Sequence, residues 1–213
     1  MVDEVAAREA ARPAVGGEFD AEADVVVVGG GGGGLPTALF ARWQGDDVVL
    51  LEKAPELGGT PKKAAFWYWV PNNEPMRAAG LTDDKDDFLR YVARLSRPTR
   101  YDPTSPTLGL TDWEYAMATA IHDSASSAAE LLAERGALPY RHCPAVPDYW
   151  AELPEDKAPY GRVLVPRDAS ESMSDGGENA IRTLSAAAER DGVEIRTSHR
   201  VQRLVVESGR VVG

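Results

Sequence analysis

The sequence predicts an α/β fold built on a parallel sheet, and three observations near its start carry that prediction. Val25 to Val28 form a run of four valines, and six consecutive glycines follow at 29–34. Behind them Leu35, Leu39 and Trp43 recur every four residues. A second apolar run, "DVVLLE" at 47–52, comes after Gly45. An uninterrupted apolar run predicts a strand buried on both faces, and a four-residue recurrence predicts one face of a helix. Pro36 is tolerated in the first turn of that helix, and Gly45 stops it. Strand, glycine turn, helix and strand within about thirty residues make a βαβ unit.

Later elements follow from the same reasoning. "DDKDDFLRYVARL" at 83–95 predicts a helix with Phe88, Val92 and Leu95 inward. The stretch 111–137 opens with Thr111 and Glu114 at capping-box spacing and closes at Gly136. One long helix and two helices joined near Asp123 both fit it. Residues 138–175 are rich in Pro, Tyr and charge, which predicts loops with short strands. "GGENAIRTLSAAAERDG" predicts a helix with Ile181, Leu184 and Ala188 inward and Gly192 at its end, and "VEIRT" a strand. "RVQRLVVESGRVVG" predicts a hairpin turning at Ser208-Gly209. Its returning strand has scarcely begun at Gly213, which points to the N-terminal part of a longer protein. Residues 1–18, Ala- and Glu-rich and ending in Pro13 and Gly16-Gly17, read as a mobile extension. That leaves 19–213 as one unit with a helical and loop excursion at 75–175.

Composition narrows the function classes. The 213 residues carry a net charge of -11, which argues against nucleic acid or an anionic membrane as partner. One cysteine, Cys143, permits no internal disulfide, and with no evident activating partner it reads as inert. His122, His142 and His199 are not at ligand spacing, so no metal site is expected. The N-terminus lacks a signal-peptide core and no stretch has membrane-span length, so a cytoplasmic protein is expected.

The glycines carry chemistry. Gly29, Gly31 and Gly34 fit G-x-G-x-x-G between a strand and a helix. The first makes a tight turn, the second lets backbone approach a pyrophosphate, and the third lets helix and strand pack closely. The helix N-terminus adds N–H donors and a positive dipole. Glu52 ends the second strand 23 residues after Gly29, where an acid bonds ribose hydroxyls. The alternative is a flexible glycine linker beside a surface acid. Gly30 and Gly33 belong to the same loop, and Gly30, Gly32 and Gly33 require no separate function of their own.

Downstream, Glu52 is followed at fixed distance by Gly58-Gly59-Thr60. This E-x5-G-G arrangement resembles flavoproteins of the two-dinucleotide-binding type more than NAD dehydrogenases. Further stretches are "WVPNN" at 69–73, "GGENAIRTLSAAAERDGVEIRTSHRVQRLVVESGRVVG", and more loosely "VPDYW" at 146–150. Together they resemble FAD-dependent oxidoreductases of the fumarate reductase/succinate dehydrogenase flavoprotein family, in particular the 3-ketosteroid dehydrogenase-like branch. The resemblance implies a Rossmann-like FAD-binding domain, with a capping domain beyond Gly213. It implies that Gly29, Gly31 and Gly34 face the diphosphate, with Gly30 and Gly33 in the same cradle, and Glu52 the adenosine ribose. Lys53 would flank that ribose, and Gly58, Gly59 and Thr60 would line diphosphate and flavin. Val201, at the start of a third-strand region, would meet adenine through its backbone. Tyr149 matches an active-site tyrosine, a buried phenol able to donate a hydrogen bond or relay a proton.

The implied reaction moves a hydride between flavin N5 and a CH–CH bond next to a carbonyl or carboxylate. A steroid-like molecule and a dicarboxylate are both implied as substrates. The sequence departs from the family at "PKKAAFWYWVPNN", where Ala64-Ala65 stand for a hydroxyl and a glycine and Phe66, Trp67 and Tyr68 add bulk. No histidine occupies this loop, so FAD held noncovalently is expected. Phe66 to Trp69 could wall an apolar ligand pocket or belong to the core. Lys62 and Lys63 could approach a phosphate or an anionic substrate, or form a solvated turn. An NAD(P)-dependent oxidoreductase and a non-catalytic nucleotide-binding fragment are the rival readings.

Overall fold

A computed structural model describes residues 19–170, 172 and 174–213. The extension read at 1–18 lies outside the described residues. The βαβ unit forms as the sequence predicts: β1 (Val25–Val28), α1 (Gly34–Trp43) and β2 (Val48–Leu51). β1 and β2 pair in parallel with Val25 opposite Val48, and β6 (Glu194–Arg196) joins the far side of β2. β2 is therefore central and β1 lies at the edge.

That order corrects the expectation for β1. Val27 is buried and packs with Val25 into the core, but Val26 and Val28 are 55% and 57% exposed. Alternate side chains of a strand point to opposite faces, and among the described residues only one face of β1 is covered. Leu35, Ala38 and Leu39 of α1 cover it, with Ile181, Leu184 and Ala188 of α5 (Gly176–Arg190). Ala180 and Ala187 join the same buried face.

A second, antiparallel sheet occupies much of the excursion. β3 (Tyr68–Trp69), β5 (Val163–Pro166) and β4 (Tyr140–His142) run in the order β3-β5-β4, with Trp69 opposite Val163 and His142 opposite Leu164. β4 and β5 are the short strands expected within 138–175, and β3, at 68–69, pairs with β5 from before residue 75. α2 (Glu74–Ala78) starts at Asn73, whose Oδ1 accepts from the Met76 amide at 3.0 Å. Asn73 is buried, and its Nδ2 donates to the Val70 and Gly161 carbonyls, both at 2.9 Å.

α3 spans Lys85–Ser96 and α4 Asp112–Glu134. α4 is one unbroken helix with the complete Thr111–Glu114 capping box. Phe88 of α3 is fully buried as expected, whereas Leu95 is 37% exposed. The rest of the buried face is Leu89, Tyr91 and Ala93. β7 (Val206–Glu207) and β8 (Arg210–Val211) make the hairpin, turning through Ser208 and Gly209, both at positive φ. Among the described residues no helix is long and apolar enough to cross a membrane.

Candidate functional site: a glycine cradle and an aromatic pocket

The glycine loop is tied down by backbone contacts only glycines permit. Gly29 turns at φ +100°, and its amide donates to the Leu51 carbonyl at 2.8 Å. A Cβ on Gly34 would stand 1.8 Å from the Gly29 carbonyl oxygen, so α1 packs onto the turn without any side chain between. A Cβ on Gly31 would meet nothing nearer than the Gly58 oxygen at 3.9 Å, and one on Gly33 nothing within 4 Å. Open space thus lies over the loop while its underside is packed. α1 follows its N-cap Gly33 with no side-chain cap bond and no acid in its first turn, so neither offsets its positive end.

Glu52 locks this loop to its neighbours. Its Oε2 accepts from the Gly30 amide and its Oε1 from the Ala54 amide, both at 2.8 Å. These backbone bonds, Ala54's the larger, hold the carboxyl below the ordinary carboxylate value. The Gly58 amide donates to the Gly30 carbonyl at 2.9 Å, and the His199 amide to the Glu52 carbonyl at 2.8 Å. Gly30, 22 residues before Glu52, is therefore tied to both Glu52 and Gly58 in one knot. Gly58 (φ +114°) and Gly59 (φ +52°) both lie in the left-handed region, and Lys53, Gly59 and Thr60 are exposed along this edge. Val201 is half-buried in irregular chain after β6, not at a strand start as expected. Lys62 is paired with Glu56 at 2.7 Å.

Gly176 and Gly177 complete the packing and were not singled out from the sequence. A Cβ on Gly177 would fall 2.0 Å from the Pro61 carbonyl, so α5 starts flush against the 61–65 turn. Glycine doublets at a helix start are a readable signal of such close approach.

A second feature lies around Tyr149. A cavity of about 480 Å³ is walled by Trp67, Trp69, Tyr91, Val92, Leu95 and Trp150, with Tyr68, Asp148 and Tyr149 also on its rim. The Phe66–Trp69 cluster thus divides: Phe66 joins the core around α1, and the other three line the cavity. Phe66 (φ +56°) links the two sites, its ring 3.6 Å from where a Gly32 Cβ would stand and edge-on to Tyr68 at 5.8 Å. Tyr149 is 95% exposed, so the expected buried phenol is instead an open one. It sits in the loop after β4, outside the Glu52 knot.

Beneath the cavity is a buried ion cluster that sequence reasoning missed. Arg162, 1% exposed, grips Asp83 with Nε at 2.8 Å and Nη2 at 2.7 Å. Its Nη1 donates to Asp148 and, at 3.0 Å, to Asp156. Trp69 Nε1 donates to the other Asp148 oxygen at 2.7 Å. Burial pushes the Asp156 carboxyl up against the pull of Arg162, and its Oδ2 finds no partner among the described residues. Cys143, expected without a partner, is half-buried with Arg141 Nη1 3.9 Å from its sulfur.

A parallel sheet with a glycine turn after its first strand and an acid closing the next defines a dinucleotide-binding domain. Comparison with known proteins specifies which: residues 24–213 match the FAD binding domain family, and the chain belongs to that family. It is 38% identical over 71 residues to a 3-oxosteroid 1-dehydrogenase of Mycolicibacterium smegmatis, covering 33% of this chain and 12% of that protein. It is 30% identical over 145 residues to the 4-oxocyclohex-2-ene-1-carboxylate 5-dehydrogenase of Sinomonas cyclohexanicum, covering 68% and 22%. Its fold is similar to the crystal structure of 3-ketosteroid delta1-dehydrogenase from Sterolibacterium denitrificans in complex with 1,4-androstadiene-3,17-dione. The TM-score is 0.70 at 19% identity, over 89% of this chain and 45% of that one. The chain spans less than half the length of each of these relatives.

The cradle fits the family's cofactor, FAD. The space over Gly31 and Gly33, beside an uncapped helix N-terminus, suits a diphosphate.

Proposed function

We propose that this chain is the cofactor-bearing part of an FAD-dependent oxidoreductase acting on a CH–CH bond next to a carbonyl, with a neutral, steroid-like ring ketone as substrate. Bound FAD supplies hydride acceptance or donation at N5. In this reading the loop amides of residues 29–34 and the α1 N-terminus hold the diphosphate. Glu52, kept ionised by its two backbone bonds, accepts from ribose hydroxyls on its remaining lone pairs. Lys53 flanks the ribose, Gly58, Gly59 and Thr60 border the diphosphate and flavin, and Val201 offers backbone to the adenine. The aromatic walls exclude water from the substrate, and the open Tyr149 hydroxyl donates to, or passes a proton from, the substrate's carbonyl region.

The observation that carries the choice of substrate is the cavity lining. Among the described residues it contains no Lys, Arg or His, and its single charged residue, Asp148, has both oxygens engaged by Arg162 and Trp69. A flat apolar ring system matches aromatic walls.

The test is anaerobic mixing of the FAD-loaded chain with a saturated 3-ketosteroid or with succinate. The proposal expects the long-wavelength flavin band to bleach with the steroid alone, and Tyr149→Phe to slow that bleaching at least about a hundredfold. Bleaching by succinate and not by the steroid would overturn it.

A further inference from the structure

The Arg162 cluster reaches the cavity wall by two routes. Through Nη1 it holds Asp148, whose other oxygen takes the Trp69 indole N–H. The Asp148 amide donates to the Pro159 carbonyl at 2.9 Å, which fixes the backbone just before Tyr149 and Trp150. The guanidinium also lies under three rings, its carbon 5.0 Å from the Trp69 centroid, 5.5 Å from Tyr91 and 5.9 Å from Phe88. Tyr91 and Trp150 both line the cavity.

One cation thus joins both walls: Trp69 and Tyr91 on one side, the 148–150 segment on the other. On its outer side the bidentate grip on Asp83 sets its angle, and Asp83 also takes the Asn72 amide at 2.9 Å. A planar guanidinium supplies five donors in fixed directions, so it holds three carboxylates at defined angles where an ammonium holds only a point charge.

From this geometry we infer that Arg162 is a positioning residue for the aromatic pocket, setting through Asp148, Trp69 and Tyr91 the separation of its two walls. The wall geometry is independent of what the pocket binds. Its consequence for ligand affinity rests on the steroid-like reading above.

Trp67, Trp69 and Trp150 line the pocket, while Trp43 lies on α1 and Trp113 at the start of α4. The five tryptophans therefore contain both reporters and controls. The experiment is fluorine NMR of the full 213-residue chain labelled with 5-fluorotryptophan, comparing wild type, Arg162→Lys and Asp83→Asn. Lysine keeps the charge and loses the fork. Asp83→Asn is isosteric, lies outside the pocket and loosens one side of the grip.

In folded Arg162→Lys the Trp67 and Trp150 lines should shift or broaden while Trp43 and Trp113 stay in place. Asp83→Asn should move the same lines by less, and it carries the test alone if Arg162→Lys does not fold. A merely stabilising ion cluster would lower the melting temperature and leave Trp67 and Trp150 unmoved in the folded protein, and that result overturns the inference. Added 1,4-androstadiene-3,17-dione should shift the three pocket lines of the wild type and bind Arg162→Lys about tenfold more weakly. If the steroid shifts no line in the wild type, the substrate reading falls. The inference on Arg162 is then judged from the Trp67 and Trp150 lines of the unliganded variants.

Discussion

Gly34→Ala is expected to destabilise the domain by about 3 kcal/mol or more, the upper range for forcing extra volume into a packed site. The sign is what makes this informative. At an ordinary helical position the same change stabilises, by about 0.5–1 kcal/mol. Here the new methyl would stand 1.8 Å from the Gly29 carbonyl oxygen and 3.0 Å from its carbon, both backbone atoms that cannot swing aside. α1 must lift from β1, and with it Leu35 and Leu39, both fully buried. Gly31→Ala is the companion. Its methyl meets nothing nearer than 3.9 Å, so thermal unfolding should be nearly unchanged, while FAD binding weakens because the methyl occupies the space over the loop. Equal melting temperatures for Gly34→Ala and the wild type would show that the loop and helix are not packed in this way.

The second large effect belongs to Arg162→Met. Methionine fills most of the volume but leaves Asp83, Asp148 and Asp156 facing one another, at 4%, 7% and 7% exposure. Removing one partner from a buried ion cluster costs about 3–5 kcal/mol, because the remaining charges are stranded away from water. A domain's whole stability is about 5–15 kcal/mol, so the midpoint of urea unfolding should fall by a large fraction. Arg162→Lys should lose much less, since the positive charge remains. A loss under about 1 kcal/mol for Arg162→Met would mean that the cluster is solvated.

The contrast between these two sites shows what a sequence discloses. The Gly34 site is local: strand, turn and helix are contiguous, so hydrophobic period and glycine spacing describe it completely, and Glu52 is found by counting onward. The start of α4 was equally readable because its cap is written within four residues, Thr111 to Glu114, whereas its unbroken run past Asp123 was not. The Arg162 cluster is the opposite case. Its partners stand 79, 14 and 6 residues away, and each acid read alone belongs to a charged loop that ought to be solvated. The available signal was faint: Arg162 directly precedes Val163–Pro166, a strand buried at every position.

The pairing of the antiparallel sheet was hidden for a related reason, although short strands were expected at 138–175. β3 and β4 have two and three residues, too few to show a period, and both depend on β5 for pairing. The exposure of Val26 and Val28 was hidden too, because an apolar run looks the same with one face covered or with two. Tyr149 was singled out by its neighbours Pro147 and Asp148, but its exposure follows from loop geometry that residue types do not encode.

The central claim is that the cradle of Gly29, Gly31, Gly34 and Glu52 holds FAD, and the visible absorption of the purified chain titrated with FAD tests it most directly. A perturbed, sharpened flavin band saturating at one FAD per chain is expected, with the flavin co-eluting with the protein on gel filtration. Acid precipitation should release intact FAD into the supernatant, and Gly31→Ala should shift the titration to higher FAD concentration. A spectrum identical to free FAD, with all flavin eluting apart from a folded protein, would contradict it.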